Sequence, residues 1–119
     1  MTQLVDTSVW VDHFRKRNGR LSELLANSQV LIHPFVIGEL SCGNLPRRGE
    51  VLGLLGSLPE VPVLAHEEVM RFVNAQRLHG RGLGWIDMHL LASARLAHKP
   101  LWTFDKRLAA AAQQLAEGA

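Results

Sequence analysis

The sequence predicts an α/β fold in three layers, with a short parallel sheet covered by helices on both faces. Two observations predict it. Short apolar runs at residues 3–5, 30–33 and 101–104 alternate with stretches of helical periodicity, and Gly or Pro punctuates the junctions between them. Runs this short and this apolar suit strands buried on both faces, as parallel sheets require. At 119 residues and 47% hydrophobic content, the chain is the size of one domain and can bury a core without disulfide or metal staples. Residues 1–119 are therefore expected to fold as one unit.

Residues 3–5 form the first strand. Thr7 or Ser8 is a natural cap for a helix over residues 9–14, where Trp10, Val11 and Phe14 share a face. The basic stretch Arg15-Lys16-Arg17-Asn18-Gly19-Arg20 ends that helix, and a second one covers residues 21–27. A strand follows at 30–33, and Pro34 sits well in the first turn of a helix reaching about Cys42, stopped by Gly43-Asn44. Val51, Leu54, Leu55 and Leu58 have helical spacing, yet Gly49, Gly53 and Gly56 leave that helix dependent on tertiary packing. Pro59 and Pro62 bracket a connector. His66-Glu67-Glu68 opens the next helix, with Val69, Phe72, Val73 and residues 75–78 on its buried side. A glycine-rich loop at 79–84 leads into an apolar helix over 86–97, with Asp87 in its first turn, where the helix dipole favours negative charge. Pro100 stops it, Leu101-Trp102-Thr103-Phe104 is the last strand, and residues 106–116 are almost all good helix formers.

Thirteen Lys and Arg against eleven Asp and Glu leave a net charge of +2, too mild by itself to argue for nucleic acid. The lone Cys42 excludes an internal disulfide. Met1-Thr2-Gln3 leads straight into a strand rather than a secretory leader, so a cytoplasmic location is expected. No apolar stretch approaches the roughly 20 residues needed to span a bilayer.

Four acidic residues lie hard against apolar runs. Asp6 closes Leu4-Val5, Asp87 follows Trp85-Ile86, Asp105 ends the last strand, and Glu39 is flanked by Val36, Ile37 and Leu40. In an open parallel sheet, chemistry collects where strands hand over to helices, and Asp6 and Asp105 both occupy such handovers. Taken singly, Asp6, Asp87 and Asp105 also read as helix caps or dipole partners. Glu39 does not, since it is not at a helix start and an unpaired charge among apolar neighbours is costly. Carboxylates gathered in a poorly solvated cleft must take up protons or hold a cation, and hard divalent ions such as Mg²⁺ or Mn²⁺ prefer oxygen ligands. Setting aside these four leaves seven acidic residues against thirteen basic ones, a cationic surface that suits a polyanion.

The motifs Val5-Asp6-Thr7-Ser8-Val9-Trp10, Gly38-Glu39-Leu40 within residues 34–43, Gly84-Trp85-Ile86-Asp87 followed by Leu90-Leu91-Ala92-Ser93-Ala94, and Leu101-Trp102-Thr103-Phe104-Asp105 span nearly the whole chain. In that order they resemble the PIN-domain ribonucleases, and within them the VapC-type toxins of toxin–antitoxin pairs. The resemblance implies a PIN-like fold and a Mg²⁺- or Mn²⁺-dependent endoribonuclease with metal-binding, catalytic carboxylates at Asp6, Glu39, Asp87 and Asp105. Ser8 and Thr103 are candidate supporting hydroxyls. Arg15, Arg17 and Arg81 are candidate RNA contacts, with solvated surface the competing reading. An RNA substrate, an antitoxin protein partner and a homodimer are implied as well. Many relatives continue into a further strand where this sequence stops at Gly118-Ala119, so the expectation is either a sheet one edge strand short or a trimmed chain.

Other chemistries fit less well. The six histidines lack zinc-site spacing, and His89, two residues after Asp87, is expected to be packed or solvated. The glycines at 80–84 read as a connector, lacking a Walker lysine pattern. A phosphoacceptor receiver domain has this length and plan, and Lys99-Pro100 mimics its late lysine, but it wants two adjacent acidic residues where this chain has Asp6 followed by Thr7-Ser8. A catalytically inactive PIN-fold binding module remains the other alternative.

Overall fold

The structure, a computed structural model, describes residues 1–118. Strand β1 (Gln3–Val5) is central in a three-stranded parallel sheet, between β2 (Val30–Leu31) and β3 (Leu101–Trp102). Register pairs Leu4 with Leu31 on one side and with Leu101 on the other. The Asp6 amide continues the ladder by donating to the Trp102 carbonyl at 2.9 Å, which brings the carboxyl ends of β1 and β3 side by side. The 30–33 run is a strand only through Leu31. Beyond it, Ile32 makes a parallel bridge to Glu60, so the connector bracketed by the two prolines acts as a short sheet edge.

Among the described residues seven helices surround this sheet: α1 (Thr7–Lys16), α2 (Gly19–Ala26), α3 (Pro34–Ser41), α4 (Arg48–Gly56), α5 (His66–Gln76), α6 (Trp85–Ala97) and α7 (Lys106–Glu117). The layered α/β architecture expected from the alternation of runs is present. Helix α6 is the keystone, being buried from Met88 through Ala94. Its Leu90 and Ala94 pack with Leu4, Val5, Val9, Val30 and Val36, while Met88, Leu91 and Ala92 pack with Val69, Leu78, Leu108 and Ala111. A helix apolar all round can only be stable between two layers.

Several local expectations are corrected. Helix α1 begins at Thr7, so Thr7 and Ser8 lie inside it, and Asp6 occupies the capping position without bonding a helix amide through its side chain. Val11 is exposed while Trp10 is buried, because only part of the apolar face meets the core. Leu54 in the glycine-rich α4 is likewise exposed, with Leu55 alone of that helix buried. Helix α2 begins at Gly19 rather than at residue 21, within the basic stretch, because the Asn18 side chain caps it by accepting from the Leu21 amide.

His33 caps α3. Its Nδ1 accepts from the Phe35 amide at 3.0 Å, which places the neutral ring's proton on Nε2. Burial, and then the charge of nearby His89, lowers its pKa from 6.5 to about 4. Above pH 6.5 the ring is neutral whether the chain is folded or not. Between 6.5 and about 4 only the unfolded chain takes the proton, so folding stability declines as pH falls through that window. The decline is about 2 to 3 kcal/mol, at roughly 1.4 kcal/mol per pKa unit. Urea unfolding at pH 7.5 and 4.5 is expected to show this drop, and His33→Asn, which keeps a capping acceptor, is expected to show a smaller one.

Candidate active site

The sharpest local feature is the environment of Asp6. Its side chain is buried at the end of β1. Oδ2 accepts from the Thr103 hydroxyl at 2.7 Å and from the Ser8 hydroxyl at 2.8 Å. Each hydroxyl in turn accepts a backbone amide of the segment after β3: Phe104 N donates to Ser8 at 3.0 Å and Asp105 N donates to Thr103 at 3.0 Å. With both protons directed at Asp6, the 3.3 Å approach of Ser8 and Thr103 Oγ atoms is proximity imposed by their shared acceptor. The hydroxyls fix the Asp6 rotamer and tie the β1 end to the loop that carries Asp105.

The other carboxylates enter from separate elements. Asp87, on the first turn of α6, accepts the Gly84 amide through Oδ2 at 2.9 Å, closing the helix start. Asp105 caps α7, its Oδ1 accepting from the Arg107 and Leu108 amides, while Oδ2 accepts no hydrogen bond among the described residues. Glu39 is exposed on α3, not set among Val36, Ile37 and Leu40 as its sequence neighbours suggest, because the helix turns it outward. Its Oε1 accepts the Thr7 hydroxyl at 2.7 Å, which links α3 to the residue after Asp6. Sequence reasoning missed this role for Thr7; the clue was two hydroxyl residues in succession after the aspartate, free to serve two different carboxylates.

Electrostatics join these groups. The Asp87 carboxyl has a raised pKa, chiefly from burial, offset in part by the Gly84 hydrogen bond and pushed further up by the charges of Asp6 and Asp105. Asp87 therefore senses the charges of two acids on other elements. None of the four proposed carboxylates has a Lys, Arg or His partner among the described residues, where the ion pairs are Lys16 with Asp12 and Arg47 with Glu50. As the side chains stand, no three described His, Cys, Asp or Glu residues form a closed metal cage. An oxygen-only, uncompensated donor set of this kind fits a hard divalent cation, which would draw the carboxylates together.

Around the rim, a groove of about 400 Å³ runs past Thr7 and Glu39, with Arg15 at its edge and Val11, Phe14 and Leu45 in its wall. Arg17 lies away on the α1–α2 turn at φ 51°. The Arg81 guanidinium donates to Gln114 at 2.8 Å, holding the glycine loop against α7. In that loop Gly82 adopts φ +77°, and a Cβ there would collide with the Arg107 guanidinium. His89 is buried, as expected, between Phe35 and Trp85.

A family model described as PIN domain matches residues 4–114. The chain is 50% identical over 109 residues to Ribonuclease VapC32 of Mycobacterium tuberculosis strains CDC 1551 / Oshkosh and ATCC 25618 / H37Rv, covering 91% of this chain and 88% of that protein. It is 32% identical over 109 residues to Ribonuclease VapC1 of Methanocaldococcus jannaschii, covering 87% of this chain and 76% of the relative.

Uncompensated charge has a stability consequence. Asp87→Asn keeps an acceptor for Gly84 while removing the charge that burial, Asp6 and Asp105 disfavour. In metal-free buffer near pH 7 its thermal midpoint is expected to lie a few degrees above the unsubstituted protein. Added Mn²⁺ is expected to raise the midpoint of the unsubstituted protein and leave that of the variant nearly unmoved.

Proposed function

The chain belongs to the PIN domain family, and on that footing we propose that it is an endoribonuclease toxin that hydrolyses RNA phosphodiester bonds with a divalent metal, Mg²⁺ or Mn²⁺. The carrying observation is that Asp87 senses the charges of Asp6 and Asp105 while none of the four acids meets a basic partner among the described residues. Asp6 and Asp87 are assigned as direct ligands. Glu39 and Asp105 complete the set, directly or through water, and one of them orients the attacking water.

A divalent cation supplies Lewis acidity there, making hydroxide available near neutral pH and offsetting the charge that builds on the phosphate oxygens. The chain's own residues do the positioning. Ser8 and Thr103 hold Asp6 in one rotamer through its Oδ2, and Thr7 restrains Glu39 in the same way. Asp105 keeps Oδ2 available because Oδ1 is committed to the first turn of α7. Arg15, Arg17 and Arg81 are assigned to the RNA backbone.

Residues 1–119 act as one PIN-like domain in a soluble cytoplasmic toxin; among the described residues no helix is long and apolar enough to cross a membrane. The partners are an antitoxin protein seated over the cleft and a second copy of the chain.

Incubation with total cellular RNA is expected to give discrete cuts with Mn²⁺ and none with EDTA. Asp6→Asn is expected to fold and to lose more than ~100-fold in cleavage rate, beyond the range for outer-shell partners. Thr103→Val, which removes one hydroxyl from Asp6, is expected to lose about 10- to 100-fold. Metal-independent cleavage, or full activity in Asp6→Asn, would falsify the assignment.

A further inference from the structure

The groove that runs past Glu39 is lined by polar side chains of opposite kinds that do not satisfy one another. Its volume of about 400 Å³ is that of a small-molecule pocket. Glu39 and Thr7, joined by their 2.7 Å hydrogen bond, form one part of the lining, Arg15 and Asn44 form others, and Phe14 and Leu45 supply apolar wall. Arg15 and Asn44 are both exposed. Arg15 takes no part in the ion pairs of the described residues, which join Lys16 to Asp12 and Arg47 to Glu50. A guanidinium and a carboxylate therefore share one groove without meeting.

The turn that presents Asn44 is fixed in advance. Arg48 reaches back from the start of α4 to donate to the Ser41 carbonyl at 2.7 Å and to the Gly43 carbonyl at 3.5 Å, and the Gly43 amide donates to the Leu40 carbonyl at 3.2 Å. The Ser41 hydroxyl is taken up by the Gly38 carbonyl at 2.7 Å. Leu45 packs against the core, and the following Pro46 has a fixed φ. The Asn44 carboxamide takes part in none of these bonds, so its donor and its acceptor are both left for a ligand. A carboxamide on a rigid turn above an apolar wall suits a flat group that offers an acceptor and a donor side by side, which describes the edge of a nucleobase.

We propose that this groove is a base subsite beside the scissile phosphate, in which Asn44 reads adenine and Arg15 holds a flanking phosphate, an inference that rests on the ribonuclease reading above. A phosphate brought to Glu39 by the cation carries its nucleoside into the groove that Glu39 itself lines. Adenine is the base whose N6 amine and N7 a carboxamide pairs with bidentately, and an unpaired base in RNA leaves that edge open. The apolar wall receives the face of the ring, and the Arg15 guanidinium matches the charge of the next phosphate. An apolar protein segment would leave both the guanidinium and the carboxamide unmatched, and for that reason a nucleotide is the favoured occupant. The groove thus decides which base the cut falls beside.

The test maps a cut made with Mn²⁺ and then compares four oligoribonucleotides that differ only in the base beside it. The unsubstituted protein is expected to favour adenine there about 5- to 150-fold in kcat/KM. Asn44→Ala is expected to flatten that preference and Asn44→Gln to restore part of it. Asn44→Asp, which only accepts, is expected to move it toward cytosine, whose N4 amine donates. Arg15→Ala is expected to raise KM for all four alike. Binding of short homopolymers of each base in EDTA, where nothing is cut, gives a readout apart from catalysis, since repulsion from the metal-free carboxylates is common to all and the ratio of affinities still reports the base. Unfolding midpoints check folding, and Asn44→Asp carries the test should Asn44→Ala not fold. Absence of an adenine preference in the unsubstituted protein overturns the proposal. So does a preference unchanged in Asn44→Ala, and if self-association is lost in the variants instead, the groove belongs to a protein interface. Failure to cut RNA with Mn²⁺ while the adenine ratio persists in EDTA would count against the ribonuclease reading and not against the subsite.

Discussion

A buried carboxylate without a cation partner is the constraint around which this molecule is arranged. Asp6 ends the central strand, is 7% exposed, and takes its compensation from the hydroxyls of Ser8 and Thr103. Two neutral donors stabilise a buried charge less than an ion pair does, yet they leave the acid's other oxygen available. They also stitch β1 to the segment after β3, because both hydroxyls accept amides from that segment. The same bonds that make the charge tolerable therefore set the position of Asp105.

Such an arrangement trades stability for chemistry. Asp87 is disfavoured as an anion by burial and by two neighbouring acids, and only its bond to Gly84 offsets part of that penalty. Lysines or arginines at the same rim would relieve the strain and occupy the place of a divalent ion. The fold instead relies on its layered core, with α6 apolar on both sides, to hold the acids in place despite their repulsion.

The helix caps add economy to the site. Asp87 and Asp105 each direct one oxygen to a helix start, so the reading of these residues as caps holds, and the proposed metal role would use the second oxygen of each.

The alternation of short apolar runs with helical segments was enough to give the α/β class, the parallel sheet and the order of the helices, because side-chain period and Pro/Gly punctuation are local properties. The four acids were legible for the same reason: each breaks a local pattern. Family membership followed from motif order, which is also linear information. What remained hidden depended on which distant atoms meet. The outward turn of Glu39 and its bond to Thr7, the exposure of Val11 and Leu54, and the bridge from Ile32 to Glu60 are decided by packing between elements. Ser8 and Thr103 were legible as candidate supporting hydroxyls, but that both donate to Asp6 is decided by packing, since they lie 95 residues apart. Sequence determined which residues carry charge and the order of the elements; tertiary structure alone decided which charges feel one another, because electrostatic coupling depends on distance through space and not along the chain.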